Sequence, residues 1–182
     1  MKFRPPMRPW AVNDEWLFIP IAKNAHRSIT RALRDSGMGT KEFWNSIPPG
    51  LKTIVMMREP IERSYSTYRM FAEHWEDKYC SFDTFIKTLL SGKSINHPKY
   101  NVEYTDPHLI PQWESMGGEM PHTLVKWDFD KLKKLLKIDE LRHLGQSNPI
   151  DIDPLAPETQ KLFDEFYAKD IELWNSNEPG NP

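Results

Sequence analysis

Residues 17–29 read Leu17-Phe18-Ile19-Pro20-Ile21-Ala22-Lys23-Asn24-Ala25-His26-Arg27-Ser28-Ile29, and residues 53–69 read Thr53-Ile54-Val55-Met56-Met57-Arg58-Glu59-Pro60-Ile61-Glu62-Arg63-Ser64-Tyr65-Ser66-Thr67-Tyr68-Arg69. Each stretch runs from an apolar segment of strand length, through a cationic turn, into a helical pattern. In the first, residues 16–21 are the strand. Behind Lys23, the residues Ala25, Ile29, Ala32 and Leu33 fall near helical spacing, with Asn24 as the expected N-cap. In the second, residues 51–57 are the strand, and Pro60 suits a first helical turn, where its missing N–H costs nothing. Ile61, Tyr65, Tyr68 and Ala72 then form an apolar face, and Arg63, Ser66 and Arg69 share another. Such a turn sets a positive side chain and the N–H groups of a helix start where an anion can sit. Two of them, each after a strand, suit a ligand with phosphate at both ends.

Outward from these stretches the punctuation is regular. Gly37 and Gly39 stop the first helix, and Pro48-Pro49-Gly50 marks a loop. Phe82, Phe85, Ile86, Leu89 and Leu90 form an amphipathic helix that ends near Gly92. Residues 93–121 are polar and broken by Pro98, Pro107, Pro111 and Gly117-Gly118, which predicts a long loop of the functional kind. Residues 123–127 are a third strand, followed by a helix with Phe129, Leu132 and Leu136 on one side. Pro157 opens a closing helix carrying Leu162, Phe163, Phe166, Tyr167, Ile171 and Trp174. Residues 1–14 read as a surface arm and residues 175–182 as a fraying tail. Strands alternating with helices predict an α/β fold, a parallel β-sheet flanked by helices in one domain over residues 1–182. Ligands of such sheets bind beyond the carboxyl ends of the strands, where both cationic turns fall.

Composition narrows the function classes. The chain has 182 residues, enough for a core, and its seven Trp, nine Phe and six Tyr supply large apolar surfaces to fill it. With 24 basic and 26 acidic residues its formal charge is −2, which argues against a general nucleic-acid binder. A single cysteine, Cys80, excludes an intrachain disulfide and points to an inert thiol in a reducing cytoplasm. No apolar run approaches the roughly 20 residues of a membrane span, and no signal-peptide pattern follows Met1, so a soluble cytoplasmic protein without membrane contact is expected. The six histidines show no ligand spacing, and no metal is expected.

On these residues the chain resembles the PAPS-dependent sulfotransferases, most closely the carbohydrate-type branch. Lys23 matches the lysine of the family's 5′-phosphosulfate loop and Ser28 its final serine. Ala22 stands where the family has Pro, and Arg27 where it has a small hydroxyl residue. Residues 58–69 are similar to the 3′-phosphate motif Arg-Asp-Pro-x-x-Arg-x-x-Ser-x-Tyr-Arg, with Glu59 for Asp. Pro107-His108-Leu109-Ile110-Pro111-Gln112 resembles a His-x-x-Pro-Gln stretch, residues 124–129 the strand and helix start after it, residues 143–147 a loop near the nucleotide, and residues 163–174 the closing helix. The resemblance implies a P-loop-NTPase-like sulfotransferase fold and 3′-phosphoadenosine 5′-phosphosulfate as co-substrate. It places the 5′ end on Lys23, Asn24, Ala25, His26, Arg27 and Ser28, and the 3′-phosphate on Arg58 and Ser66. It adds a nucleotide contact from Ser147, with Arg63 bracing the loop.

The implied reaction moves a sulfuryl group to a hydroxyl or amine of a carbohydrate or small molecule by in-line displacement. Lys23 stabilises the charge that builds on the leaving group. A base is also needed. Residues 29–53 contain no His, and Glu42 and Asp35 are the carboxylates there; His108 is the first candidate, His74 beside Glu73 the second, and His26 a third. Trp75, Tyr79, Tyr100, Tyr104 and Trp113 form either an acceptor platform or ordinary core cover. Local alternatives make Arg58 an ion-pair partner of Glu59 or Glu62, Ser66 a solvated helix residue, and Lys23 a solvent-facing corner. Two whole-chain alternatives remain: a non-catalytic nucleotide-binding protein of the same fold, and a small-molecule kinase, against which the missing Gly-x-x-x-x-Gly-Lys-Ser/Thr spacing counts.

Overall fold

The computed structural model describes residues 10–12, 14–38, 50–72, 81–97, 100–102, 106–141 and 151–176. Its elements in chain order are β1 (Trp10–Ala11), β2 (Trp16–Ile19), α1 (His26–Asp35), β3 (Lys52–Met57), α2 (Pro60–Ala72), α3 (Phe82–Leu90), β4 (Ile95–His97), β5 (Tyr100–Val102), α4 (Gln112–Ser115), β6 (Thr123–Lys126), α5 (Phe129–Leu136), α6 (Pro157–Phe166) and α7 (Ala168–Asn175). They fall into two compact units, one holding β1, β2, α1, β3, α4, β6 and α5, the other α2, α3, β4, β5, α6 and α7.

The first unit is built on a sheet of order β1-β2-β3-β6. β2, β3 and β6 are parallel, with Ile19 beside Val55 and Val55 beside Leu124. β3 is central because its residues from Thr53 to Met57 are all buried, as a parallel strand covered on both faces requires. Its β-branched Thr53, Ile54 and Val55 suit the pleat. Alternate residues share a face: Phe18, Ile54, Met56 and Val125 pack with Ile29 and Leu33 of α1 and Leu132 and Leu136 of α5 in one core. Each fully buried side chain of this kind contributes about 1.5–3 kcal/mol. Pro20, which has no N–H to give a ladder, follows the last residue of β2. Gly37, at φ 70°, receives the chain after α1 and returns its N–H to the Arg34 carbonyl.

The surface arm expected over residues 1–14 contributes β1, which pairs antiparallel with β2 through Trp10 opposite Phe18. A two-residue strand carries no period to read.

The second unit has its own core of Tyr68, Phe71, Phe82, Phe85, Phe163 and Tyr167. Their rings meet edge-on or tilted, Tyr68 with Phe85 at 5.4 Å and Phe163 with Tyr167 at 4.6 Å. Ser81 caps α3 by accepting the Thr84 N–H, and Asp83 accepts the N–H of Ala156, the cap residue of α6. Two expectations change. The polar segment expected as a long loop holds the β4–β5 hairpin and α4. The closing helix is two helices, because Tyr167 leaves helical geometry (φ −100°, ψ 18°) and its hydroxyl bonds to the Leu109 carbonyl. Among the described residues no helix is long and apolar enough to cross a membrane.

Candidate functional site

The turn after β2 is tight and strained. Lys23 has φ 66° and Ala25 φ 55°, while Asn24 between them is not in the positive-φ region. The Asn24 N–H closes this turn on the Ile21 carbonyl at 3.1 Å. A non-glycine residue in the left-handed region costs roughly 1–2 kcal/mol, so two so close together are a feature to be explained. Ala25 is the N-cap of α1 and has no side chain to bond the first turn. Asn24, expected to cap, is 1 % exposed and points elsewhere. Its Nδ2 donates to the Met56 carbonyl at 2.8 Å and to Oε1 of Gln112 at 2.5 Å. Its Oδ1 is buried without a partner among the described residues. The start of α1 thus keeps the partial positive charge of a helix N-terminus, with Lys23 half-buried beside it.

Gln112, fully buried, is the keystone of the first unit's carboxyl edge. Its Oε1 accepts the Arg58 N–H at 3.0 Å and its Nε2 donates to the Arg58 carbonyl at 2.8 Å. The carboxamide therefore pairs with Arg58 as a neighbouring strand would, at the residue directly after β3. The same Oε1 takes the proton of Asn24. One amide, 88 residues along the chain from Asn24, ties the Lys23 turn to the Arg58 turn. The motif His-x-x-Pro-Gln contained Gln112, yet sequence reasoning assigned it no role.

The Arg58 guanidinium lies 4.6 Å from the centre of the Trp127 ring. Trp127 directly follows β6, donates its N–H to the Met57 carbonyl, and holds φ 47°, a strained value for a bulky residue. An aromatic face under a guanidinium fixes its plane. Asp128 then caps α5 by accepting the Lys131 N–H.

His26 opens α1 and is half-buried, and Arg27 is exposed on it. Ser28 is buried and lines a cleft of about 210 Å³ with Arg31, Asp35, Ile138, Asp139 and Glu140. Lys23 and Arg58 do not line that cleft, and its carboxylates make it a poor anion site.

In the second unit, Arg63 is 1 % exposed and braces the loop before α4: its guanidinium donates to the carbonyls of Ile110 and Pro107. Ser64 and Thr67 bond carbonyls one turn back, while Ser66, half-buried, makes no such bond. His108 Nδ1 lies 2.7 Å from Oδ1 of Asp106, a partner that sequence reasoning missed. Burial pushes the Asp106 carboxyl up, but hydrogen bonds from the His108 ring and N–H, with the charges of His108 and Arg63, bring it below its ordinary value. His74, Ser147, Glu42, Cys80, Trp75, Tyr79 and Tyr104 lie outside the described residues. Among the described residues no cluster of His, Cys, Asp or Glu could hold a metal.

No family model matches the chain, and no curated protein or solved structure matches it either.

Proposed function

We propose that this protein is a sulfotransferase that takes 3′-phosphoadenosine 5′-phosphosulfate as donor and a hydroxyl-bearing carbohydrate or small molecule as acceptor. On this reading the fold is a P-loop-NTPase-like sulfotransferase domain. The observation that carries it is the Gln112 carboxamide, which joins the Lys23 turn to the Arg58 turn at adjoining parallel strand ends. A ligand charged at both ends needs two cationic turns held in fixed register. On this reading Lys23 and the start of α1 take one phosphate, and Arg58, stacked on Trp127, takes the other.

The donor supplies the sulfuryl group. Lys23 and the N-terminus of α1 neutralise charge as it builds on the departing phosphate, a contribution realised in the transition state. Arg58 holds the distal phosphate and so orients the donor for in-line attack.

Thermal stabilisation by 3′,5′-bisphosphoadenosine, ADP and ATP-Mg tests this directly. A ligand that binds the folded state alone raises the melting temperature by mass action. The bisphosphate should stabilise most. Arg58→Ala should abolish that preference and leave the chain folded, because the bonds of Arg58 to Gln112 come from its backbone. Lys23→Ala should lower donor hydrolysis about 10²–10³-fold. Preference for ATP-Mg, or selectivity unchanged in Arg58→Ala, would reject the assignment.

A further inference from the structure

Resting on that reading, we propose that Asn24 and Gln112 are positioning residues that couple the two turns, so that a phosphate held at the Lys23 turn tightens the backbone at Arg58. All the groups involved belong to the first unit. The ladder between β2 and β3 ends with Ile19 beside Val55, and Pro20 has no N–H to add to it. Side-chain amides take over from there. Asn24 Nδ2 donates to the Met56 carbonyl at 2.8 Å, and Gln112 Nε2 to the Arg58 carbonyl at 2.8 Å. Between them, the Met57 carbonyl takes the Trp127 N–H at 2.8 Å. Three successive carbonyls are therefore each held from a different part of the chain.

The two amides are also joined to each other. A carboxamide oxygen has two lone pairs, and Gln112 Oε1 uses both: it accepts from Asn24 Nδ2 at 2.5 Å and from the Arg58 N–H at 3.0 Å. Asn24 and Gln112 are buried, so the bond between them forms away from water. Asn24 Oδ1 has no partner among the described residues, so the hydrogen bonds of that side chain are those of Nδ2. One oxygen thus separates Asn24 from the Arg58 backbone, and hydrogen bonds in series in a dry interior strengthen one another. Asn24 belongs equally to the strained turn. Its N–H closes on the Ile21 carbonyl, with the left-handed Lys23 and Ala25 on either side of it. A ligand group that settles this turn settles Asn24, and through Gln112 it settles the N–H and carbonyl of Arg58. Two groups that bias one shared arrangement are coupled, and the coupling is reciprocal.

Amide hydrogen exchange of the full-length chain, read residue by residue, tests the coupling with adenosine, 5′-AMP and 3′,5′-bisphosphoadenosine as probes. All are compared at matched saturation, so that stabilisation by mass action is equal. In the wild type, 5′-AMP should slow exchange at the Arg58 N–H about 5–10-fold relative to adenosine. The same slowing at residue 58 should persist in Arg58→Ala, which lacks the guanidinium but keeps the backbone bonds to Gln112, so direct contact with phosphate does not explain it. Asn24→Ala should abolish the effect at residue 58 while 5′-AMP still slows exchange of the Ile29 N–H, which bonds the Ala25 carbonyl in the first turn of α1. Gln112→Met, which keeps the length of the side chain without its amide, should do the same. Slowing confined to the Lys23 turn in the wild type, or lost from residue 58 in Arg58→Ala, overturns the coupling and leaves the sulfotransferase reading standing. Undiminished slowing at residue 58 in Asn24→Ala overturns it as well. Failure of the wild type to bind the bisphosphate overturns the sulfotransferase reading and the coupling with it.

Discussion

Gln112 concentrates more consequence in one side chain than any other described residue. Its fully buried amide satisfies the part-buried N–H and carbonyl of Arg58 and one buried proton of Asn24. Gln112→Ala leaves those groups short of partners, and urea denaturation should report a loss of about 2–4 kcal/mol. Ala25 makes the opposite case. Its φ of 55° suits glycine, and its methyl caps nothing. Ala25→Gly should raise stability by about 0.5–1 kcal/mol in the same assay, net of the extra freedom of an unfolded glycine. A fall would mean the strain is relieved by contacts of that methyl. The charged residues of the two turns, Lys23 and Arg58, were legible in the sequence because strand, cation and helix start are contiguous there. The role of Asn24 was not. A short amide before a helix reads as a cap, and nothing local reveals that its partner sits 88 residues away. Asp106 escaped for a related reason: a carboxylate near a histidine is common, and the shared geometry appears when both are placed.

The helices divide by how they begin. α3 and α5 start on Ser81 and Asp128, whose side chains accept an N–H of the first turn, whereas α1 starts on an alanine. Capping is worth about 1 kcal/mol, and α1 forgoes it at a strained turn. Asp128→Ala should cost about 1 kcal/mol by calorimetry, with α5 otherwise intact. β2, β3 and β6 were readable as apolar runs bounded by turn residues, and their observed limits fall within a residue or two of the expected ones. α2, α3 and α5 were readable from period and punctuation. The β4–β5 hairpin was hidden because its strands have three residues each, too few to show an alternation. The break at Tyr167 was hidden because apolar residues continue on both sides of it, and the hydroxyl that helps set the break bonds to a carbonyl far along the chain.

At the scale of the molecule, a formal charge of −2 coexists with cations gathered at the carboxyl edge of one small sheet. On the proposed reading, anion recognition would be local, set by where strands end rather than by overall charge. Each unit has a separate core, aliphatic with Phe18 in the first and aromatic in the second. Bisphosphate binding should therefore slow hydrogen exchange first at the β2–α1 turn and at the end of β3, where exchange is measured residue by residue.

The two-residue pairing of β1 with β2 has a further effect. Trp10 and Ala11 occupy the outer rim of a strand whose central residues, Leu17 and Phe18, are buried. Without that cover, β2 would present a bare ladder to any other chain. A protein shortened to begin at residue 14 should self-associate edge to edge, and its sedimentation coefficient should climb with concentration where that of the full chain stays constant.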